Sequence, residues 1–558
     1  MRLHPLAVLI ALALPAAVAR AAAPTVDYLF PAGGQQGTTV TFTVGTAKAD
    51  TKIDGWPARA VSDAPGLTFA ADKENGSFTV TIAPDAPVGP HLVRVVNAEG
   101  SSAPRTFVVG PHAEQVEPKP SKDAGDTPYA ISKPPAVANG RLAKNGESDL
   151  WAVDVTESGR WLVAELTCRR LGAPLDPLIQ LLDPDGTVVA FNHDTFGLDP
   201  LLAYRVHRPG RYTIVVAAFA HPPAADVRFG GSKAGVYRLA VTTGPYARFA
   251  FPAVARRGER TPVKLFGWNL PGGDAGTPAD VDARDPATAG ADAAPVTGTP
   301  LDNDFRVRLS DLTGVPEAEP NGDPAAPATL KLPLAIDGRL DRPGDVDRFA
   351  VAARKGQRLA TAVLARSVGS PADAVVTVTG PDGAEVARGD DEAADKPDPK
   401  IEWTAPADGT YVVAVSDVKR AGGPGHVYRL EVAERPPAFA GTVDAHAFAV
   451  APGKSVDVKV TVARTGGYAG PLKVVAADLP PGVSAAPAEV PAKGGATTLT
   501  IKAAADAKPG GVPLRLTVVG EAEGKALERP VSFALEAGLV PAATAELWLT
   551  IAAPAKGK

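Results

Sequence analysis

The sequence predicts an all-β chain: a linear array of about five β-sandwich domains following a signal peptide. Three observations predict it. The 56 Gly and 56 Pro residues are spread evenly through 558 positions, which leaves little room for helices longer than a few turns. Between them, short runs alternate apolar and polar residues, with turn signals at intervals of about eight to twelve residues. One stretch of about 120 residues also occurs twice. The chain is 45% apolar, enough to bury cores. Its formal net charge is -5 and no basic block stands out, which speaks against a nucleic-acid partner.

Residues 1–23 read as the signal peptide. Arg2 supplies the positive start, Leu6 to Val18 a short apolar core, and Ala17, Ala19 and Ala21 a small-residue cleavage region. No cysteine sits at the cleavage site to carry a lipid anchor. No other run approaches the roughly 18 apolar residues of a membrane helix. The expectation is a secreted, periplasmic or cell-surface chain with no transmembrane segment.

Residues 24–110 alternate in TTVTFTV, SFTVTIA and HLVRVVN and form the first predicted sandwich. Residues 111–243 and 315–437 are the two copies of the repeat. NGRLAKNGESDLWAVDVTESGRWLVAELTCRRLG in the first matches DGRLDRPGDVDRFAVAARKGQRLATAVLARSVG in the second. Gly140 pairs with Gly338, Gly172 with Gly369, Tyr212 with Tyr411 and Tyr237 with Tyr428. The second copy, read alone, is Ala-, Arg- and Leu-rich and helix-compatible. The Trp, Val and Thr of the first argue strands for both. Pro184-Asp185-Gly186 and Pro381-Asp382-Gly383 mark hairpins at matching places.

Residues 244–314 open on RTPVKLFGWNL. A Gly/Ala/Asp/Pro-rich insertion, Pro271 to Gly298, follows and is expected to be a loop. Residues 438–558 carry SVDVKVTVAR, PLKVVAADLPPGV, TTLTIKA and PLRLTVVG, the last sandwich.

EAEPNGDPAAPATLKLPLAIDGRLDRPGDVDRFAV, the turn PDG, PADGTYVVAV and VYRLEV resemble, in that order, the bacterial pre-peptidase C-terminal (PPC) domain. The first copy keeps NGRL, GESDLWAV, DPDG, PGRY and VYRL. The resemblance implies a jelly-roll-like sandwich that binds or spaces beside secreted proteases rather than doing chemistry. FPAGGQQGTTVTFTVGT and VARRGERTPVKLFGWNL resemble the IPT/TIG immunoglobulin-like fold, the second more divergent. VTVARTGGYAGPLKV and DLPPGV are similar to Ig-like domains found beside secreted glycosidases. The whole array resembles secreted multidomain proteins of planctomycete-type bacteria.

Few residues carry the marks of chemistry. The single cysteine, Cys168, alternates with Leu162, Ala164 and Leu166 and is expected in a core. None of the eight His residues lies in HExxH. No GxSxG elbow occurs, and Gly453-Lys454-Ser455 lacks the first glycine of a phosphate loop, with Phe448 in its place. No catalytic residue is assigned. Trp151 and Trp403 exchange with Phe349 and Tyr204 across the repeat, as core residues do. Trp161 falls out of phase with the Leu162 face and is a candidate stacking surface.

A metal is the remaining option. Glu317, Glu319 and Asn321 alternate and present oxygens on one side of an extended segment, and calcium takes about six to eight oxygens. Related collagen-binding domains hold calcium with an E-x-E-x-N linker and aspartates near the following strand. That resemblance implies Glu317, Glu319 and Asn321 as Ca2+ ligands, joined by Asp345 or Asp347, with Asp323 a lesser addition and Asp390 and Asp391 as loop donors. The alternative is an acidic linker without an ion. In the first copy Gln115, Glu117 and Lys119 take the linker positions. The lysine would repel a cation there, so no metal is expected beside Glu147 and Asp149.

These readings combine into a secreted, non-catalytic binding, adhesion or scaffold protein. Its expected partner is an extracellular polymer, protein or glycan, or a surface protein. The alternative is an accessory region of a secreted peptidase or other hydrolase. An enzyme with a triad assembled only by the fold is the competing class.

Overall fold

The computed structural model describes residues 22–48, 52–118, 127–223, 228–284, 291–323, 327–393, 396–522, 524–535, 538–539 and 543–553. The signal-peptide reading rests on residues 1–21, which lie outside that set. Among the described residues no helix is long and apolar enough to cross a membrane. Strands build the chain, with isolated 3-10 turns such as Arg169–Leu171.

Alternation makes the strands. In Ser455–Thr465, Val458, Val460 and Val462 are buried while Asp457, Lys459 and Thr461 are exposed. Each such valine contributes roughly 1.5–3 kcal/mol when fully buried. Large cores follow one another along the chain, built on Phe42, Phe78 and Phe107, on Trp151, Ile179 and Tyr212, on Val263, Leu265 and Val281, on Phe349, Trp403 and Tyr411, and on Val458, Leu499 and Val518. Cys168 is buried and free, as its alternation predicts.

The two repeat copies share one topology. In the first, one sheet runs Tyr129–Ala130, Asp149–Val155, Gly210–Ala220, Leu175–Leu182, Val188–Asn192. The facing sheet runs Leu201–Arg205, Trp161–Thr167, Val236–Thr242, Ala136–Arg141, Ala113–Val116. In the second the orders are Ala328–Leu330, Val346–Ala353, Gly409–Asp417, Ala374–Thr379, Glu385–Gly389, and Lys400–Thr404, Arg358–Leu364, Val427–Glu434, Leu334–Arg339, Val315–Pro316. The Ala- and Arg-rich segment is therefore strand, as its partner copy implied. Gly140 and Gly338 recur because a Cβ at either would collide with the ring of Tyr237 or Tyr428. Gly172 and Gly369 each close a 3-10 turn at positive φ, 92° and 86°.

The third unit corrects one expectation. The insertion Pro271–Gly298 is not simply a loop. Thr277–Asp282 pairs with Arg260–Trp268, and Ala293–Thr297 pairs with Arg306–Ser310. Thr277, Ala279 and Val281 alternate inward. Their small side chains and a Pro weaken the pattern, so the strand is set by its neighbours rather than by propensity.

Successive units pack through specific side chains. Arg141 stacks over Phe30 at 5.0 Å, and Trp161 meets Trp268 at 6.3 Å. Phe249 and Val427 bury each other's surroundings in one small cluster. The first and last units also touch: Arg94 Nη1 lies 3.3 Å from His446 Nδ1 and Nη2 donates to the Glu546 carbonyl.

Candidate functional site

The segment after the third unit forms a strap over the open edge of the second repeat sandwich. Val315–Pro316 pairs in parallel with Leu334–Arg339, and the Glu317 amide continues that ladder to the Asp337 carbonyl at 3.0 Å. Further on, the Arg348 amide donates to the Asn321 carbonyl at 3.2 Å, so the strap now rides on the other sheet. Ala328–Leu330 then pairs with Val346–Ala353 in that sheet. Glu317 and Asn321 thus stand where the chain crosses from one sheet to the other.

The crossing gathers oxygens. A carboxylate oxygen from each of Glu317, Glu319 and Asp347 lies within 4.8 Å of the other two. Asn321 Nδ2 donates to Glu317 Oε2 at 3.1 Å, and the Asn321 amide donates to Glu319 Oε2 at 3.0 Å. Glu317 Oε1 accepts the Arg339 amide. Tyr428 Oη lies 2.6 Å from Asp347 Oδ2 and 3.1 Å from Glu317 Oε2. Two buried oxygens remain without a hydrogen-bond partner, Asn321 Oδ1 and Asp347 Oδ1. Asn321 is 3% exposed and Asp347 fully buried.

No arginine or lysine pairs with these carboxylates among the described residues. Burial, then the negative charge of Glu317, pushes Asp347 up to about 8, against the lowering effect of the Tyr428 bond. Burial raises Glu317 as well. Such a group satisfies itself in one of two ways: it keeps a proton, or it holds a cation.

The structure separates the two aspartates of GDVDRFAV. Asp347 points into the group from the first turns of its strand, whereas Asp345 caps the preceding turn. Asp345 Oδ2 accepts the Asp341 amide at 2.8 Å, and Oδ1 stands 3.7 Å from Arg342. Strand pleating would have placed both on one side, but Asp345 precedes the strand, which begins at Val346. Asp323, Asp390 and Asp391 are all exposed and lie outside the three-carboxylate group.

The first copy shifts the expected alignment by two residues. The Glu117 amide donates to the Asn139 carbonyl, and Glu117 Oε2 accepts the Arg141 amide at 3.0 Å, the bonds that Glu317 makes to Asp337 and Arg339. Glu117 is therefore the counterpart of Glu317, and in sequence Lys119 then matches Glu319, not Asn321. Lys119 lies outside the described residues. Asp149 matches Asp347 and takes the Tyr237 hydroxyl at 2.6 Å, and Trp151 Nε1 donates to that hydroxyl at 2.8 Å. Glu147 caps its turn through the Lys144 amide, as Asp345 does.

Tyr428, Arg339 and the true role of Glu117 were missed from sequence. The signal for the tyrosine was present, since VYRL stands in both copies. Trp161 is half-buried against Trp268 and the Tyr246 cluster between two units, which removes it as an open stacking surface. Gly453 is a turn at φ 73° before the strand Ser455–Thr465.

No family model matches the chain, and no curated protein matches it. Among solved structures, one similar chain is the M60 catalytic domain with the CBM51-1 and CBM51-2 domains from Clostridium perfringens ZmpB. It is 10% identical, over 71% of this chain and 53% of that one, with a TM-score of 0.14. Another is the N-terminal eight Ig domains of Down Syndrome Cell Adhesion Molecule isoform 1.30.30. It is 10% identical, over 92% of this chain and 62% of that one, with a TM-score of 0.12. This chain spans little more than half of the first and less than two thirds of the second. Superpositions this poor carry no argument, and the architecture stands on the sheets described above.

Proposed function

We propose that this chain is a non-catalytic multidomain binding or scaffold protein of the cell exterior, whose second repeat sandwich holds a calcium ion. The observation that carries the metal is the pair of buried, partnerless oxygens, Asn321 Oδ1 and Asp347 Oδ1, beside the carboxylates of Glu317 and Glu319. A buried polar atom without a partner costs roughly 1–3 kcal/mol, and more when charged. Two at one point, among three carboxylates, suit a hard cation that takes oxygen ligands.

Glu317, Glu319, Asn321 and Asp347 would hold it, with backbone carbonyls and water completing the shell. The ion would supply charge neutralisation and a fixed crossing. Since the strap leads in from the third unit and binds both sheets of the next, fixing it stiffens a junction. That suits a spacer or scaffold better than a hinge. The export-type leader and the PPC-like motifs support the exterior setting, where calcium sites of modest affinity, around 10⁻⁴–10⁻³ M, are filled.

The test is thermal unfolding of the whole chain with calcium and with chelator. Calcium at about 100 times Kd should stabilise the second repeat sandwich by roughly 2.7 kcal/mol. Glu317→Gln and Asp347→Asn should abolish the response, and Asp345→Asn should keep it. Coincident curves with calcium and chelator would remove the site.

A further inference from the structure

The outer face of the first repeat sandwich carries aromatic rings that its duplicate lacks. Phe191 is 51% exposed, and Phe219 and Phe229 are each 37% exposed. Phe219 and Phe229 rest against each other at 5.6 Å between ring centroids, and Phe191 rests against His193 at 5.6 Å. The strand Leu175–Leu182 lies between the two groups. Its Gln180 stands opposite Phe191, and its Asp176 stands opposite Phe219. Directly opposed residues share a face, as do residues four apart on one strand. The four side chains therefore line one surface, with the two pairs about 13 Å apart along the strand.

Polar groups sit among the rings. Asp176 is raised by burial and then by Asp194, while His193 and His221 lower it. Asp199 also acts on Asp176, but it is fully buried and spent on the amides of Cys168, Arg169 and Arg170. His193 Nδ1 is 2.7 Å from Asp194. In the second copy the same register places Arg388 opposite Thr377, and Val418 follows Asp417 where Phe219 stands. The platform is a property of one copy, not of the fold.

We infer that this face binds a neutral polysaccharide, with Phe191, Phe219 and Phe229 stacking on sugar rings and Asp176, Gln180 and His193 hydrogen-bonding their hydroxyls. This deepens the binding reading above and rests on it. Exposed aromatic rings interleaved with partly desolvated polar groups suit a ligand that is apolar on its ring faces and polyhydroxylated at its edges. Charge selects among glycans. Asp176 and Asp194 place carboxyl groups beside the rings, where an acidic polymer would meet like charge.

The experiment is retention of the whole chain on insoluble cellulose, chitin and xylan, with alginate and denatured collagen as acidic and protein comparators. The wild type should be held by at least one neutral polysaccharide, in calcium and in chelator alike. Phe191→Ala/Phe219→Ala should weaken retention at least tenfold with an unchanged melting curve. Phe219→Trp should retain it, and Arg388→Ala/Val418→Ala should leave it unchanged. If the double variant binds a neutral polysaccharide as the wild type does, or if only alginate or collagen holds the chain, this face is not the site while the binding reading survives. If no polymer is retained, both fall.

Discussion

Tyr428 Oη lies 2.6 Å from Asp347 Oδ2, and Tyr237 Oη lies 2.6 Å from Asp149 Oδ2. Each tyrosine belongs to one sheet of its sandwich and each aspartate to the other, so the bond is an inter-sheet latch present in both copies. Removing it leaves a buried carboxylate oxygen without a donor. Tyr237→Phe should cost about 1–3 kcal/mol, read as a fall in the melting temperature of that unit. It also strands Trp151 Nε1, so Tyr237→Phe with Trp151→Phe should cost less than the sum of the two.

The buried acids of the first copy give that unit a pH response. Burial, then the charge of Asp149, pushes Glu117 up to about 8, and burial pushes Asp149 up to about 6. A carboxyl raised in the folded state holds its proton while the unfolded chain has already lost it. The stability it contributes is therefore full below about pH 4 and is lost as pH rises towards 8. Glu117→Gln keeps the acceptor for the Arg141 amide and removes the ionisation. It should be near neutral at pH 5 and stabilising at pH 8, by on the order of 2 kcal/mol. A melting series from pH 5 to 8 in which wild type and variant run parallel would refute the buried-acid assignment.

A relocated counter-charge offers a sharper test. Arg238 and Arg429 occupy matching buried positions, but Arg429 pairs with Asp337 at 3.0 Å, whereas Arg238 pairs with Glu114 through two contacts of 2.7 Å. Asn139 stands where the second copy has Asp337, and its Oδ1 lies 3.3 Å from Arg238 Nη1. Glu114→Gln alone should destabilise by about 3–5 kcal/mol, because it leaves a buried guanidinium unpaired. Glu114→Gln with Asn139→Asp should recover most of that, by restoring the second copy's arrangement. A double variant no better than the single one would show that the two positions are not interchangeable.

What could be read from sequence follows from how local each cause is. Alternation in Ser455–Thr465 is local and plain, and the repeat let DLWAV interpret DRFAV. Thr277–Asp282 was hidden because Ala and Pro give a weak strand signal until a neighbouring strand imposes one. Glu317, Glu319 and Asn321 were nameable because their oxygens alternate along the chain, whereas Asp345 or Asp347 was added through the resemblance to collagen-binding domains, with the choice between them open. The partnerless state of the Asn321 and Asp347 oxygens was not legible, since it depends on which bonds Tyr428 and Arg339 make from distant strands. The two-residue shift at Glu117 arose because a strap has no periodicity to fix its register. Phe191 and Phe219 were not singled out from sequence, although the alignment of Phe191 with Arg388 is an exchange that a buried position does not accept.

The contact between the first and last units makes the final prediction. Arg94 is buried, and burial lowers it to about 10. Its guanidinium reaches the Glu546 carbonyl and His446 Nδ1 from a strand that also carries Val93 and Val95 into the first core. Burial and the charge of Asp63 push Glu546 up to about 7, and the two acids hydrogen-bond across the same junction, so the acid adds little counter-charge below neutrality and Arg94 is the cation that ties the two units. Arg94→Ala removes that tie while leaving both cores intact. The two end units should then separate, seen as a larger radius of gyration and a longer maximum dimension in small-angle X-ray scattering, with each unit's melting temperature changed by less than about 1 kcal/mol equivalent. An unchanged scattering profile would mean that the remaining contacts join the ends without the arginine.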